Sequence, residues 1–246
     1  MKRDADIVVV GAGIAGVATA RAIARAGRLV LLLEQFALGH ARGSSHGATR
    51  IFRLSYPDER FVRLAQASLE GWRELEAEAG TELVSPVGAL DLGALAFDNA
   101  RALSACGVPF ESLTGAEVGR RWAVSCGPDE PALFQKDGGV IRADLAYRLL
   151  VETGRADGVE ILERTRVTGL RVERGTVRLA TTGAELVANA VVVTAGAWVD
   201  PLLEPLGLGA AVVPTRETVA YVEHADAASL PTVIDYERLP APGTAG

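Results

Sequence analysis

The sequence predicts an α/β protein in which a nucleotide-binding type of domain on a parallel sheet is interleaved with a second domain on an antiparallel sheet. Three observations carry this. A short β-branched run leads into a glycine-rich turn, an alanine-rich helix and a second apolar run that closes on an acid. Further buried-type runs of the same character occur far downstream. Between them the chain breaks into short apolar pieces separated by Gly and Pro, the signature of a different sheet.

Asp6 to Val10 is the first strand, Gly11-Ala-Gly-Ile-Ala-Gly16 the turn, Val17 to Ala26 the helix with Gly27 to end it, and Leu29 to Leu33 the second strand, followed by Glu34. Apolar residues from Phe61 to Leu75 recur at helical spacing and predict a helix over Asp58 to Ala79, stopped by Gly80. Leu83 to Phe97, interrupted by Pro86, Gly88 and Gly93, reads as strands of the other sheet. Thr114 and Glu117 form a capping box that opens a short helix. Ala143 to Ala156 is helical and Val159 to Leu162 is a core strand. Arg166 to Val172, Thr176 to Thr181, Glu185 to Ala188 and Ala190 to Thr194 follow as strands, then the turn "AGAW". A further strand is expected over Val212 to Glu223, and "LPAPGTAG" at 239–246 carries no helix or strand signal. Residues 1–84 and 140–211 are thus expected to form one domain, and 85–139 with 212–246 the other.

Composition excludes several function classes. With 246 residues, 49% of them hydrophobic, the chain can bury a core, and its net charge of −6 gives no reason to expect nucleic acid. No basic run suggests a membrane surface, no apolar run is long enough to span one, and nothing resembles a secretory signal, so a cytoplasmic location is expected. Cys106 and Cys126 lack metal-ligand spacing and read as reduced thiols; no metal site is expected. Lys2 and Lys136 are the only lysines. The oligomeric state is not readable.

Gly11, Gly13 and Gly16 match G-x-G-x-x-G. The first permits a tight turn, the second lets backbone approach a pyrophosphate, and the third lets helix and strand pack closely. The helix N-terminus offers amides and a positive dipole end to phosphate. Glu34 is placed to accept ribose hydroxyls, and its charge disfavours a 2′-phosphate. This is a Rossmann-like fingerprint that fits NAD or FAD. The departure into a second sheet and the return favour FAD.

The stretch "GSSHGATRIFR", Gly43 to Arg53, adds unusual chemistry. Small residues there let backbone pass close to a flat ring, His46 and Arg50 can place positive charge against a flavin, and Arg53 can clamp a carboxylate. Together with "GAGIAG", "LLLEQF", "FVRLAQASLEGWRELE" and "VVVTAGAW", it resembles the monomeric sarcosine oxidase and N-methyltryptophan oxidase family in order and spacing.

The resemblance implies an FAD enzyme that oxidises a secondary or N-methyl amino acid to an imine, with oxygen giving hydrogen peroxide. It places Gly11, Gly13, Ile14 and Gly16 at the pyrophosphate and Glu34 at the ribose. Ser44, Ser45, His46, Thr49, Arg50 and Ile51 lie along the flavin, Arg166 and Val167 by the adenine, and Ala195, Gly196 and Trp198 on a second cofactor-facing turn. His46, Arg50 and Arg53 are the implied catalytic residues, with Arg50 over the isoalloxazine and Arg53 on the substrate carboxylate. Ser45 departs from members with a second histidine there. The family's chains are much longer. Their oxygen-activating lysine, second substrate-binding lysine, flavin-linking cysteine and final glycine-rich segment have no counterpart here, so a C-terminally truncated oxidase is expected, with an inactive FAD-binding fragment as the alternative.

Overall fold

The computed structural model describes residues 4–236. In chain order, β1 Ala5–Val10, α1 Ile14–Arg25, β2 Val30–Leu33, β3 Thr49–Phe52, α2 Glu59–Ala79, β4 Val84–Ser85 and β5 Ala89–Leu92 come first. Next are α3 Leu95–Ala105, β6 Glu111–Thr114, α4 Gly115–Arg121, β7 Pro131–Gln135, β8 Gly139–Arg142 and α5 Ala143–Ala156. The remainder holds β9 Glu160–Leu162, β10 Val167–Glu173, β11 Thr176–Thr181, β12 Glu185–Val193, α6 Asp200–Leu203 and β13 Thr232–Asp235.

The chain divides into two compact units, Met1–Ala48 with Ala143–Thr218 and Thr49–Arg142 with Val219–Gly246. The first crossing therefore falls at residue 48 rather than near 84. The reason is pairing: β3 takes its hydrogen bonds from β8, and α2 packs on α3, so both join the second unit. The return crossings fall at 142 and 218 rather than 139 and 211.

The first unit is built on a six-stranded sheet in the order β10-β11-β12-β1-β2-β9. β12, β1, β2 and β9 run parallel, and β10 and β11 extend the sheet as an antiparallel ribbon. The parallel strands are largely apolar, β2 wholly so with all four residues buried, because both faces of the sheet's centre are covered. Val8, Val10, Leu31 and Leu33 join Leu170, Leu179 and Leu202 in one core layer. Alternation turns Val9 and Leu32 to the opposite face, and α1 packs against β1, β2 and α5. Arg21 of α1 donates to Asp157, just beyond α5, at 2.8 Å.

The second unit contains a four-stranded sheet, β13-β5-β7-β6, and a three-stranded sheet, β3-β8-β4. Leu90, Leu92 and Ala132 pack with Val118 of α4 on one face of the larger sheet. α3 packs against β5 and β7. The capping box is formed: Thr114 Oγ1 accepts from Glu117 N, and Glu117 accepts from Thr114 N at 2.7 Å.

Three expected elements differ. Leu83 to Phe97 gives only β4 and β5 as strands. From Leu95 the chain is helical, because Ala96, Asn99, Ala102 and Leu103 place a buried stripe at helical spacing. Glu185–Ala188 and Ala190–Thr194 are one strand rather than two: β12 pairs with β11 up to Ala188 and with β1 from Ala188 onward, so no turn intervenes. Val212 to Glu223 forms no strand despite its β-branched composition. Its start is pinned by Asp200, which accepts from Ala210 N and Val212 N. The stretch 239–246 lies outside the described residues. No helix among the described residues is long and apolar enough to cross a membrane.

Glu76 ties the end of α2 to β4: its Oε1 accepts from Leu83 N and Val84 N, both at 2.8 Å, and Arg73 donates to Oε2 at 2.6 Å. Burial opposes the charge, but those amides and Arg73 outweigh it and hold the carboxyl below its ordinary value of 4.5. A lowered folded value means the stabilisation is present above pH 4.5 and is lost as pH falls through the folded value. Glu76→Ala should therefore cost about 1–3 kcal/mol at neutral pH, with the gap to the parent closing in acid. Urea unfolding at pH 7 and pH 3 checks this; a pH-independent gap would contradict it.

Candidate functional site

The parallel strands of the first unit end together, and the glycine turn leaves from the carboxyl end of β1, where doubly wound sheets bind ligands. Gly11 has φ +103°, and a Cβ there would lie 2.6 Å from the Thr194 carbonyl oxygen that follows β12. A Cβ on Gly16 would lie 1.8 Å from the Gly11 carbonyl oxygen. Only bare backbone permits this approach of α1 to β1. Thr194 Oγ1 donates to Gly11 O at 2.8 Å, and Tyr147 of α5 donates its hydroxyl to Ala12 O at 2.8 Å. Burial, with the charge of Glu34, pushes the Tyr147 phenol up and keeps it a neutral donor.

The N-terminus of α1 has a glycine cap, no side-chain cap from that residue and no acid in its first turn. Ser45 Oγ accepts from Ile14 N at 3.0 Å. No acid of the helix's own first turn opposes an anion here, and the dipole favours it.

Glu34 is only 4% exposed. Its two oxygens accept from Ala12 N and Phe36 N, each at 2.9 Å, so the carboxylate braces the glycine turn from below. His40 Nδ1 accepts from Arg42 N, which places its proton on Nε2, 3.4 Å from Glu34 Oε1. A carboxylate offers about four acceptor positions, so capacity for ribose hydroxyls remains. Backbone from Glu34 to Phe36 pairs with the stretch after β9: Thr165 N donates to Glu34 O and Arg164 N to Phe36 O. This leads directly to Arg166, which is exposed, and to Val167, buried in β10. Phe36 packs edge-on against His40 and Trp198, and Arg42 stacks over its ring at 4.7 Å. Ala195, Gly196 and Trp198 form a turn of 3₁₀ helix beside this cluster. Ser44 and His46 are exposed, and His46 Nδ1 lies against Gly43 O.

The structure thus brings together Gly11, Gly13, Ile14, Gly16, Glu34 and Ser45, with Trp198 and Arg166 on adjoining segments. The arrangement fits a dinucleotide: a glycine-capped helix N-terminus without an acid in its first turn for the pyrophosphate and a buried acid for the ribose. Sequence reasoning missed Thr194, Tyr147, Phe36 and His40. Their signal was weak, since each lies outside the glycine motif and is brought to the turn by partners distant in sequence.

Thr49, Arg50, Ile51 and Arg53 belong to the second unit. Arg50 and Ile51 are exposed on β3, and Arg50 Nη1 donates to its neighbour Thr49 O at 2.7 Å. Arg53 differs: it is half-buried, donates to the Tyr236 hydroxyl, stacks over Tyr56 at 4.5 Å and lies 3.9 Å from the buried Asp91. Burial opposes its charge, but Tyr236, Asp91 and Tyr56 outweigh it and hold the guanidinium firmly protonated. Asp91 and Tyr236 were also missed, although an acid between two leucines in "ALDL" is a legible anomaly. Neither cysteine takes part in a disulfide, and no cluster of metal-ligating residues occurs among the described residues.

Comparison with known proteins places this geometry. A family model described as FAD dependent oxidoreductase matches residues 6–244. Peroxisomal sarcosine oxidase of Mus musculus is 35% identical over 221 residues, covering 88% of this chain and 56% of that protein. N-methyl-L-tryptophan oxidase of Yersinia pestis is 31% identical, covering 89% and 59%. The chain therefore spans little more than half the length of the curated relatives it matches. Among solved structures, NikD, an unusual amino acid oxidase essential for nikkomycin biosynthesis, superposes with a TM-score of 0.75 at 30% identity, over 84% of this chain and 55% of that one. L-proline dehydrogenase from P. horikoshii shares the fold with a TM-score of 0.78 at 22% identity, over 96% and 66%.

Two substitutions test the geometry of the turn. Ser45→Ala removes the acceptor for Ile14 N and should cost about 1 kcal/mol in urea unfolding. Gly16→Ala drives a methyl into the Gly11 carbonyl and should cost more, about 2–4 kcal/mol. A silent Gly16→Ala would mean that α1 does not approach β1 this closely.

Proposed function

The chain belongs to the FAD-dependent oxidoreductase family, and from that premise we propose that it serves a sarcosine oxidase-like oxidation, in which a secondary or N-methyl amino acid is converted to its imine. The observation that carries the cofactor half of this reading is the pairing of an α1 N-terminus that has a glycine cap and no acid in its first turn with the buried Glu34. Support for the substrate half comes from Arg53, a held and protonated guanidinium suited to an amino acid carboxylate. Two curated relatives are named for N-methyl amino acid oxidation, which favours that substrate class.

In this reading, Gly11, Gly13, Ile14 and Gly16 receive the pyrophosphate on backbone amides, and Glu34 accepts from the ribose. Val167 meets the adenine through its backbone, with Arg166 beside it. Ser44, Ser45, His46, Thr49, Arg50 and Ile51 serve the flavin, with Ala195, Gly196 and Trp198 on the second turn. Bound FAD would supply the two-electron acceptor for the C–N oxidation, and oxygen would carry the electrons to hydrogen peroxide. His46 and Arg50 contribute positive charge that favours an anionic reduced ring. Arg53 orients the amino acid by its carboxylate.

The test is a visible absorption spectrum of the purified chain with FAD added and excess removed, before and after acid precipitation. A retained flavin spectrum, released into the supernatant by acid, is expected; a colourless protein would overturn the cofactor assignment for this chain. Arg53→Ala should weaken sarcosine binding roughly tenfold to a hundredfold, the worth of a charge-assisted pair, while flavin uptake is unchanged. Loss of flavin instead would move Arg53 to the cofactor site.

A further inference from the structure

Asp91 occupies a position in β5 where an apolar sheet ordinarily carries an aliphatic residue. Leu90 and Leu92, on either side, pack into the core layer with α4. Alternation turns Asp91 to the other face together with its registered partner Leu133. It is 1% exposed. A carboxylate in such a place is costly unless paired and hydrogen-bonded.

Its partners explain it. Asn99 of α3 donates Nδ2 to Asp91 Oδ2 at 2.8 Å. Arg53, one residue past β3, brings Nη1 to 3.9 Å from Oδ1. The same Nη1 donates to the hydroxyl of Tyr236, one residue past β13, and Asn99 Nδ2 lies 3.4 Å from that hydroxyl. The guanidinium carbon stacks over Tyr56 at 4.5 Å and reaches Tyr236 at 5.8 Å. Tyr56, Asp91 and Tyr236 thus converge on one guanidinium, and Asn99 ties Asp91 to Tyr236 behind it. Burial pushes the Asp91 carboxyl up, against the pull of its hydrogen bonds and of the Arg53 charge.

We propose that Asp91, acting with Tyr236, is a positioning residue that fixes the Arg53 guanidinium by its Nη1 corner and thereby presents the Nε–Nη2 edge to a substrate carboxylate. Among the described residues both polar contacts of Arg53 fall on Nη1. A bidentate carboxylate needs two parallel N–H donors in one plane, which the opposite edge supplies. An arginine free to rotate would lose that preorganisation. The inference rests on reading Arg53 as the carboxylate holder and adds the residue that sets its pose. The charge of Asp91 also tempers that of Arg53, so removing it has two opposed effects, and the sign of the result decides between them.

The experiment is nitrogen-15 NMR of the arginine side chains in the full chain with FAD, the Arg53 signals being assigned by Arg53→Lys. Rotation of the Arg53 guanidinium should be slow in the parent. It should quicken roughly tenfold in Asp91→Asn, which keeps the shape and the Asn99 contact, and in Tyr236→Phe. Sarcosine should shift the Arg53 signals in the parent and bind roughly tenfold more weakly to Asp91→Asn, whereas N-methylglycinamide, which has no carboxylate, should leave them unmoved. If Asp91→Asn fails to fold, Tyr236→Phe carries the test. Unchanged rotation in folded variants would overturn the proposal, and so would tighter sarcosine binding by Asp91→Asn. Faster rotation with no response to sarcosine in any form would sustain the positioning role and remove the carboxylate role of Arg53.

Discussion

The close approach of α1 to the end of β1 is the constraint on which the first unit depends. A single Cβ at Gly16 would stand 1.8 Å from the Gly11 carbonyl, so the helix can start where it does only because that side chain is absent. Once the helix is seated, Gly11 N donates to Leu33 O and Thr194 N to Val10 O, which locks the turn between β2 and the end of β12. Glu34 then falls directly beneath Ala12 N. The acid suited to a ribose is therefore also a brace for the turn suited to the pyrophosphate. Its two oxygens have more acceptor positions than the backbone amides use, so the brace leaves that suitability intact.

Much of this was legible in the sequence because it rests on local rules. The opening strand, the turn, α1, β2 and the Thr114 capping box follow from periodicity and glycine placement, and their bounds agree within a few residues. What escaped depends on partners distant in the chain. β3 and α2 look like a continuation of the first unit until β8, ninety or so residues on in sequence, claims β3. Asn189 looks like a break between two strands. Its side chain instead donates to Asp6, and the strand passes from one partner to the next without interruption. The stretch from Val212 to Glu223 shows the opposite case: β-branched composition alone makes no strand, because ladder hydrogen bonds need a second chain segment.

The candidate site divides along the same line. Glycines and an acid after a strand announce themselves, since each has a stereochemical reason to be where it is. Arg53 was legible as a possible clamp, but its state was not. Whether an arginine swings in solvent or is held depends on Asp91, Asn99, Tyr56 and Tyr236, which the sequence scatters over nearly the whole chain. An acid within "ALDL" is the one local clue. Its physical meaning is that burying a carboxylate under α3 is tolerable only opposite a cation, so an arginine must come to it.

The stretch Gly43 to Arg53 reads as one motif, yet the chain uses it for two units. Ser45 completes the N-terminus of α1 in the first, while Arg50 and Arg53 enter β3 and its exit in the second. The crossings after Ala48 and after Arg142 lie side by side: Ala143 N donates to Ala48 O within the first unit, and Thr49 registers with Arg142 within the second. The polypeptide that leaves the first unit at Ala48 is thus hydrogen-bonded, residue by residue, to the polypeptide that re-enters it at Ala143. A motif dense in glycine, hydroxyls and cations at such a crossing has a double task, since its small residues must follow a sheet edge and its charged ones must emerge in fixed directions. The short spacing from Ser45 to Arg53 meets both demands because consecutive residues of an extended chain alternate in direction. It carries Phe52 inward to the core of the second unit while Arg53, on the other side, meets Asp91.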